Sequence, residues 1–63
     1  MTITKANRAI IADYAINQMD GDRYRIARNG EVHIFGGIPN STVTGWWFAG
    51  FYNDILCREM KQY

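Results

Sequence analysis

Cysteine, histidine and proline each occur once in this chain, and neither sign of charge dominates. With Cys57 alone, no intramolecular disulfide can form. Cys57 and His33 together cannot build a structural zinc site, which needs about four such ligands. Seven Lys and Arg against six Asp and Glu leave a net charge of +1. That balance is too even for strong, delocalised attraction to nucleic acid. No apolar run approaches the roughly 18 residues of a membrane span. The start of the chain lacks the apolar core of a secretory leader, because Asn7 and Arg8 interrupt it. A free thiol without an export signal leads us to expect a reducing, cytoplasmic setting and no membrane contact. There are no repeats, low-complexity tracts or linkers.

What is present is apolar and aromatic. Of 63 residues, 48% are hydrophobic and 14% aromatic, which predicts one folded domain over residues 1–63. A chain this short buries only about 60% of the surface it exposes when unfolded. With disulfide and metal excluded, the usual remaining supports are oligomerisation or a larger partner.

Residues 4–19 read as a helix. Thr4 can cap it, and Ala6, Ala9, Ala12 and Ala15 favour it. Asp20-Gly21 ends it, with the glycine expected in the left-handed stop. Ala9, Ile11, Ala12, Ala15, Ile16 and Met19 share one arc, the expected core face. Ile10 and Tyr14 fall elsewhere, one turn apart, and form a second apolar stripe suited to self-association.

Arg23 to Phe35 reads as a hairpin around Asn29-Gly30. A two-residue turn would mix polar and apolar side chains on both faces. A three-residue loop, Arg28-Asn29-Gly30 with a glycine bulge, gathers Tyr24, Ile26, Val32 and Ile34 on one face and Arg23, Arg25, Glu31, His33 and Phe35 on the other. A buried face selects register strongly, so the bulged hairpin is expected. Residues 36–41 form a loop containing Pro39. Thr42 to Ala49 is β-branched and aromatic, hence the third strand, with Val43, Gly45, Trp47 and Ala49 on one face and Thr42, Thr44, Trp46 and Phe48 on the other. Gly50 should break this strand. Asn53 should cap a short last helix, with Asp54 in its first turn. Tyr52, Leu56, Met60 and Tyr63 would line its inner stripe, with Arg58, Lys61 and Gln62 outside. The fold class is therefore α+β: an N-terminal helix, a three-stranded antiparallel meander and a short C-terminal helix in two layers.

Catalysis has little to work with. Cys57 and His33 are the sole thiol–imidazole pair and fall on different elements, so Cys57 is expected to be a small half-buried apolar residue and His33 a surface residue opposite Arg25. The carboxylates Asp20, Asp22 and Glu31 have no evident pocket. Gly36-Gly37 lacks the lysine and following helix of a phosphate loop. No enzymatic activity and no cofactor are expected.

Binding has more. Adjacent strand residues point to opposite faces, so Trp46 and Trp47 cannot both be in the core. Trp47 is expected inside. Trp46, Phe48 and Phe35 then share the open face with Arg23, Arg25 and His33, beside Arg28 in the turn. Aromatics beside arginine are typical of interface hot spots. The first expectation is a protein-binding module acting stoichiometrically, in size and style like phage or mobile-element products that inhibit a host protein or defence complex. The second is RNA or single-stranded DNA binding by the same face. The third is self-assembly, as a homodimer or larger, through Ile10 and Tyr14 or an open sheet edge. The helix–three strands–helix order resembles the double-stranded-RNA-binding domain in topology along the whole chain. Where that family has a lysine-rich start to its last helix, this chain has Asn53-Asp54-Ile55-Leu56. The resemblance implies two helices against one sheet face and adds weight to RNA as a partner.

Overall fold

The structure, a computed structural model, describes residues 3–60. Its elements run α1 (Lys5–Asp13), a π-helical turn (Tyr14–Gln18), β1 (Arg23–Ile26), β2 (Glu31–Gly37), β3 (Thr44–Phe51) and α2 (Tyr52–Met60). The strands form one antiparallel sheet in the order β1-β2-β3. This is the expected α+β architecture. Tyr63, Lys61 and Gln62, placed on the last helix from sequence, lie outside the described residues.

Thr4 caps α1 as its chemistry dictates: its hydroxyl accepts the Asn7 N–H at 3.1 Å. Beyond Asp13 the helix widens, and the Met19 N–H reaches back five residues to the Tyr14 carbonyl at 3.1 Å. The core face also differs from the expected arc. Ile11 and Ala15 are fully buried and Ala12 and Met19 half-buried, but Ala9 and Ile16 face outward. Tyr14, expected on a separate stripe with Ile10, is 8% exposed and belongs to the core. It sits one turn after Ile11, at the border of the apolar arc, and α2 closes over it, with the Arg58 guanidinium 5.8 Å from its ring centre. The expected exposed Ile10/Tyr14 stripe is therefore not formed, because Tyr14 is turned inward.

The helix stop is also divided differently from expectation. Asp20 takes the left-handed conformation, at φ +55°, and Gly21 does not. Gly21 is required for another reason: a Cβ there would lie 2.5 Å from Ile34 Cγ2 and 2.8 Å from the Ala15 carbonyl oxygen. The helix end crosses β2 at this glycine, and a Cβ on Gly36 would in turn meet Gly21 Cα at 3.1 Å.

The hairpin adopts the three-residue loop. Ala27 N–H donates to the Glu31 carbonyl at 2.8 Å, and Gly30 N–H to the Ala27 carbonyl at 2.9 Å. Gly30 has φ +95°, the conformation that favours glycine at the bulge. Tyr24 then pairs with Ile34, Ile26 with Val32, Arg25 with His33 and Arg23 with Phe35. Val32 and Ile34 are fully buried, with Tyr24 and Ile26 packed against them.

β3 starts two residues later than expected and continues through Gly50 to Phe51. Gly50 does not break it. Instead the register with β2 shifts, because His33 faces Phe48 while Val32 faces Gly50, which leaves Ala49 as the extra residue of a bulge. Gly50 takes φ +140° there. α2 follows without a linker, so Asn53 is not its cap but lies in its first turn. The Tyr52 N–H is satisfied by the Gly30 carbonyl at the hairpin tip, 2.7 Å away. Its inner face is Tyr52, Ile55 and Glu59, with Leu56 half-buried, while Met60 is 53% exposed. Cys57 is exposed rather than half-buried. Glu59, 2% exposed, accepts a hydrogen bond from the Gln18 side-chain amide in the π-helical turn, tying α2 to the end of the first helix.

Candidate binding face

Both helices pack on one side of the sheet, where Val32, Ile34 and Trp47 meet Ile11, Tyr14, Ala15, Tyr52 and Ile55. The opposite side of the sheet carries side chains in three ranks set by the strand register. Arg23, Phe35 and Trp46 form one rank, Arg25, His33 and Phe48 the next, and Glu31 and Phe51 the third. β1 contributes cations, β2 the middle column and β3 the aromatics.

The ranks are packed laterally. Phe35 and Trp46 meet edge to face at 5.4 Å between centres, as do Phe48 and Phe51 at 5.5 Å, while His33 and Phe48 are tilted against each other at 5.7 Å. Arg23 stands 5.0 Å from the Phe35 ring centre and Arg25 5.9 Å from that of Trp46. Such contacts hold aromatic rings and guanidinium groups in place at about 0.5–1.5 kcal/mol each. Even so, Trp46, Phe48 and Phe51 remain 47–49% exposed. The rings touch one another and still leave about half of their surface open.

The charges on this face are unevenly satisfied. Glu31 accepts from the Asn29 amide at 2.5 Å and lies 3.9 Å from His33 Nε2. Asn29 Oδ1 in turn accepts the Glu31 N–H at 3.1 Å, which braces the hairpin tip. Among the described residues no carboxylate lies within ion-pair distance of Arg23, Arg25 or Arg28. Arg28 is exposed in the turn. Among the described residues, the buried His33 Nδ1 has no hydrogen-bond partner, and neither have Trp47 Nε1 and Tyr52 OH in the core.

All of the residues singled out from sequence except Ile10 and Tyr14 are on this face or at its turn: Trp46, Phe48, Phe35, Arg23, Arg25, His33 and Arg28. Sequence reasoning missed Phe51. Strict alternation from Phe48 assigns Phe51 to the core side, and the bulge at Ala49 returns it to the open side, against Phe48. The glycine at position 50 was the available signal, since a glycine inside a strand often marks a bulge.

Among the described residues no three of His, Cys, Asp and Glu are grouped as metal ligands would be. No described helix is long and apolar enough to cross a membrane. Comparison with protein-family models, with curated proteins and with solved structures gives no match for this chain.

Proposed function

We propose that this chain is a protein-binding module that acts stoichiometrically, by covering part of a partner's surface with the open face of its sheet. The observation that carries the proposal is the combination on that face of three half-exposed aromatic rings on β3 with arginines on β1 that have no described carboxylate partner. Trp46, Phe48 and Phe51 supply apolar area at low entropic cost, because stacked neighbours already hold their rings. Arg23, Arg25 and Arg28 steer and orient an acidic partner and set the on-rate. Phe35 and His33 complete the floor between the two columns. The form of action we favour is inhibition by occupancy, of the kind phage and mobile-element products exert on a host protein or defence complex, which needs surface complementarity and no chemistry.

Nucleic acid is the second reading. Arginine beside stacked rings also suits phosphate and base contacts. Against it stands the Glu31 carboxylate, which shares the open face in the third rank.

The test is capture from native lysate with the intact chain, with and without nuclease, in parallel with Trp46→Thr/Phe48→Thr. Threonine keeps the strand propensity while removing the rings. The proposal expects a partner retained at a fixed ratio, indifferent to nuclease and lost with the double variant. A partner that disappears with nuclease supports the second reading, and one retained by a folded double variant shows that this face is not the site.

A further inference from the structure

β3 is the longer edge of the sheet, and its outer side is free among the described residues. The Ile38 N–H donates to the Val43 carbonyl at 3.0 Å, and this sets the phase of the β2–β3 ladder. Hydrogen-bonded and non-hydrogen-bonded pairs alternate in an antiparallel ladder. Gly45 and Trp47 therefore turn their backbone groups toward β2, opposite Gly36 and Ile34, whereas those of Thr44, Trp46 and Phe48 point away from the sheet. Natural edges are blunted by charge, proline or brevity. β1 is blunted in this way: it has four residues and carries Arg23 and Arg25. β3 has eight residues, none charged and none proline. Its bulge lies at Ala49, beyond the three outward residues.

We propose that this edge pairs with β3 of a second copy, antiparallel and two-fold symmetric about Trp46, to make one continuous sheet across the dimer. In this register Thr44 faces Phe48 of the second copy and Trp46 faces its counterpart, so each outward N–H and C=O meets an outward group of the other strand. Residues directly opposite in an antiparallel pair share a face, so the two aromatic columns adjoin on the open side. The second copy fits this edge because the pairing brings no charge against its like. A pairing through β1 would set Arg23 and Arg25 beside their own copies, which like-charge repulsion disfavours. In the β3 pairing the arginines lie two strands away on either flank, roughly 12 Å from the seam. The dimer rests on backbone phase and edge composition and does not depend on the binding reading above.

Sedimentation equilibrium on the intact chain, over micromolar to millimolar concentration, tests it. The mass should rise from 7.3 kDa toward twice that value. Thr44→Pro removes one outward N–H without touching the β2 ladder, and Trp46→Lys places two lysines at the symmetry axis. Both should stay monomeric over the same range with the far-ultraviolet circular dichroism of the wild type. In wild-type protein, the amide hydrogens of Thr44, Trp46 and Phe48 should become protected from exchange as concentration rises, a readout that stands even where a variant fails to fold. A wild-type chain that remains monomeric throughout overturns the proposal. So does a dimer that leaves those three amides unprotected, or one that persists in both folded variants.

Discussion

Replacing Gly21 with alanine adds one methyl group where the helix end crosses the sheet. Its Cβ would lie 2.5 Å from Ile34 Cγ2 and 2.8 Å from the Ala15 carbonyl oxygen. The first contact is with a fully buried side chain in a dense core. The second is with backbone, on an oxygen that already accepts the Gly21 N–H at 2.9 Å. Relief requires the π-helical turn to lift from β2, so the cost belongs at the upper end of overpacking, about 2–3 kcal/mol. The smaller entropy of the unfolded alanine chain returns about 0.4–1 kcal/mol. A net loss of about 2 kcal/mol is large against the roughly 3–9 kcal/mol expected for a domain of this length. Thermal unfolding at matched protein concentration should show a midpoint about 8–16 °C below wild type. Gly37→Ala is the internal control. Gly37 is exposed at the end of β2, and a Cβ there would meet nothing within 4 Å. It should keep or raise the midpoint by a few degrees, through the unfolded state alone. Gly21→Ala and Gly37→Ala shifts of the same sign and similar size would refute the steric reasoning.

Gly30→Ala forces a Cβ into φ +95° and should cost about 1–2 kcal/mol in urea unfolding, with loss of the Ala27–Glu31 pairing seen by hydrogen exchange at the hairpin. Glu59→Ala removes the charged acceptor of the part-buried Gln18 amide hydrogen bond that ties α2 to the first helix and should lower the unfolding free energy by about 1–3 kcal/mol, whereas Arg58→Ala, on the exposed side of the same helix, should cost less than about 1 kcal/mol; equal losses would show that this hydrogen bond is not what matters. Trp46→Thr/Phe48→Thr removes two rings that are each about half-buried and should cost about 1.5–3 kcal/mol, small enough for a cooperative unfolding transition to remain. Loss of that transition would mean that these rings are structural and not free for a partner.

The hairpin was the most legible part of the chain. Turn chemistry at Asn29-Gly30 and a single consistent apolar face lead to one register, and Ala27 opposite Glu31 is that register. The grouping of Trp46, Phe48, Phe35, Arg23, Arg25 and His33 on one side follows from it by alternation alone. Legibility failed where a backbone irregularity changed the period. Reading alternation through Gly50 hides Phe51, and reading an unbroken helix beyond Tyr14 misplaces Ile16. In both places the extra residue is accommodated because a neighbouring element supplies the packing or the hydrogen bond: α2 over Tyr14, and the Gly30 carbonyl for the Tyr52 N–H. Asn53 is a good cap by composition, but a strand that runs directly into α2 leaves no room for one.

The amino-acid sequence alone determined the class of the fold, the hairpin register and the division of the sheet into a greasy and an arginine–aromatic face. Those depend on period, turn residues and side-chain type, which are local properties. Only the tertiary structure decided that Gly21 is needed for close approach and Asp20 for the left-handed turn, that Glu59 is an inner residue, that Tyr14 belongs to the core, and which β3 backbone groups point outward. Each of these depends on what stands across a gap of a few ångströms, a distance between elements far apart in the chain that no local pattern contains.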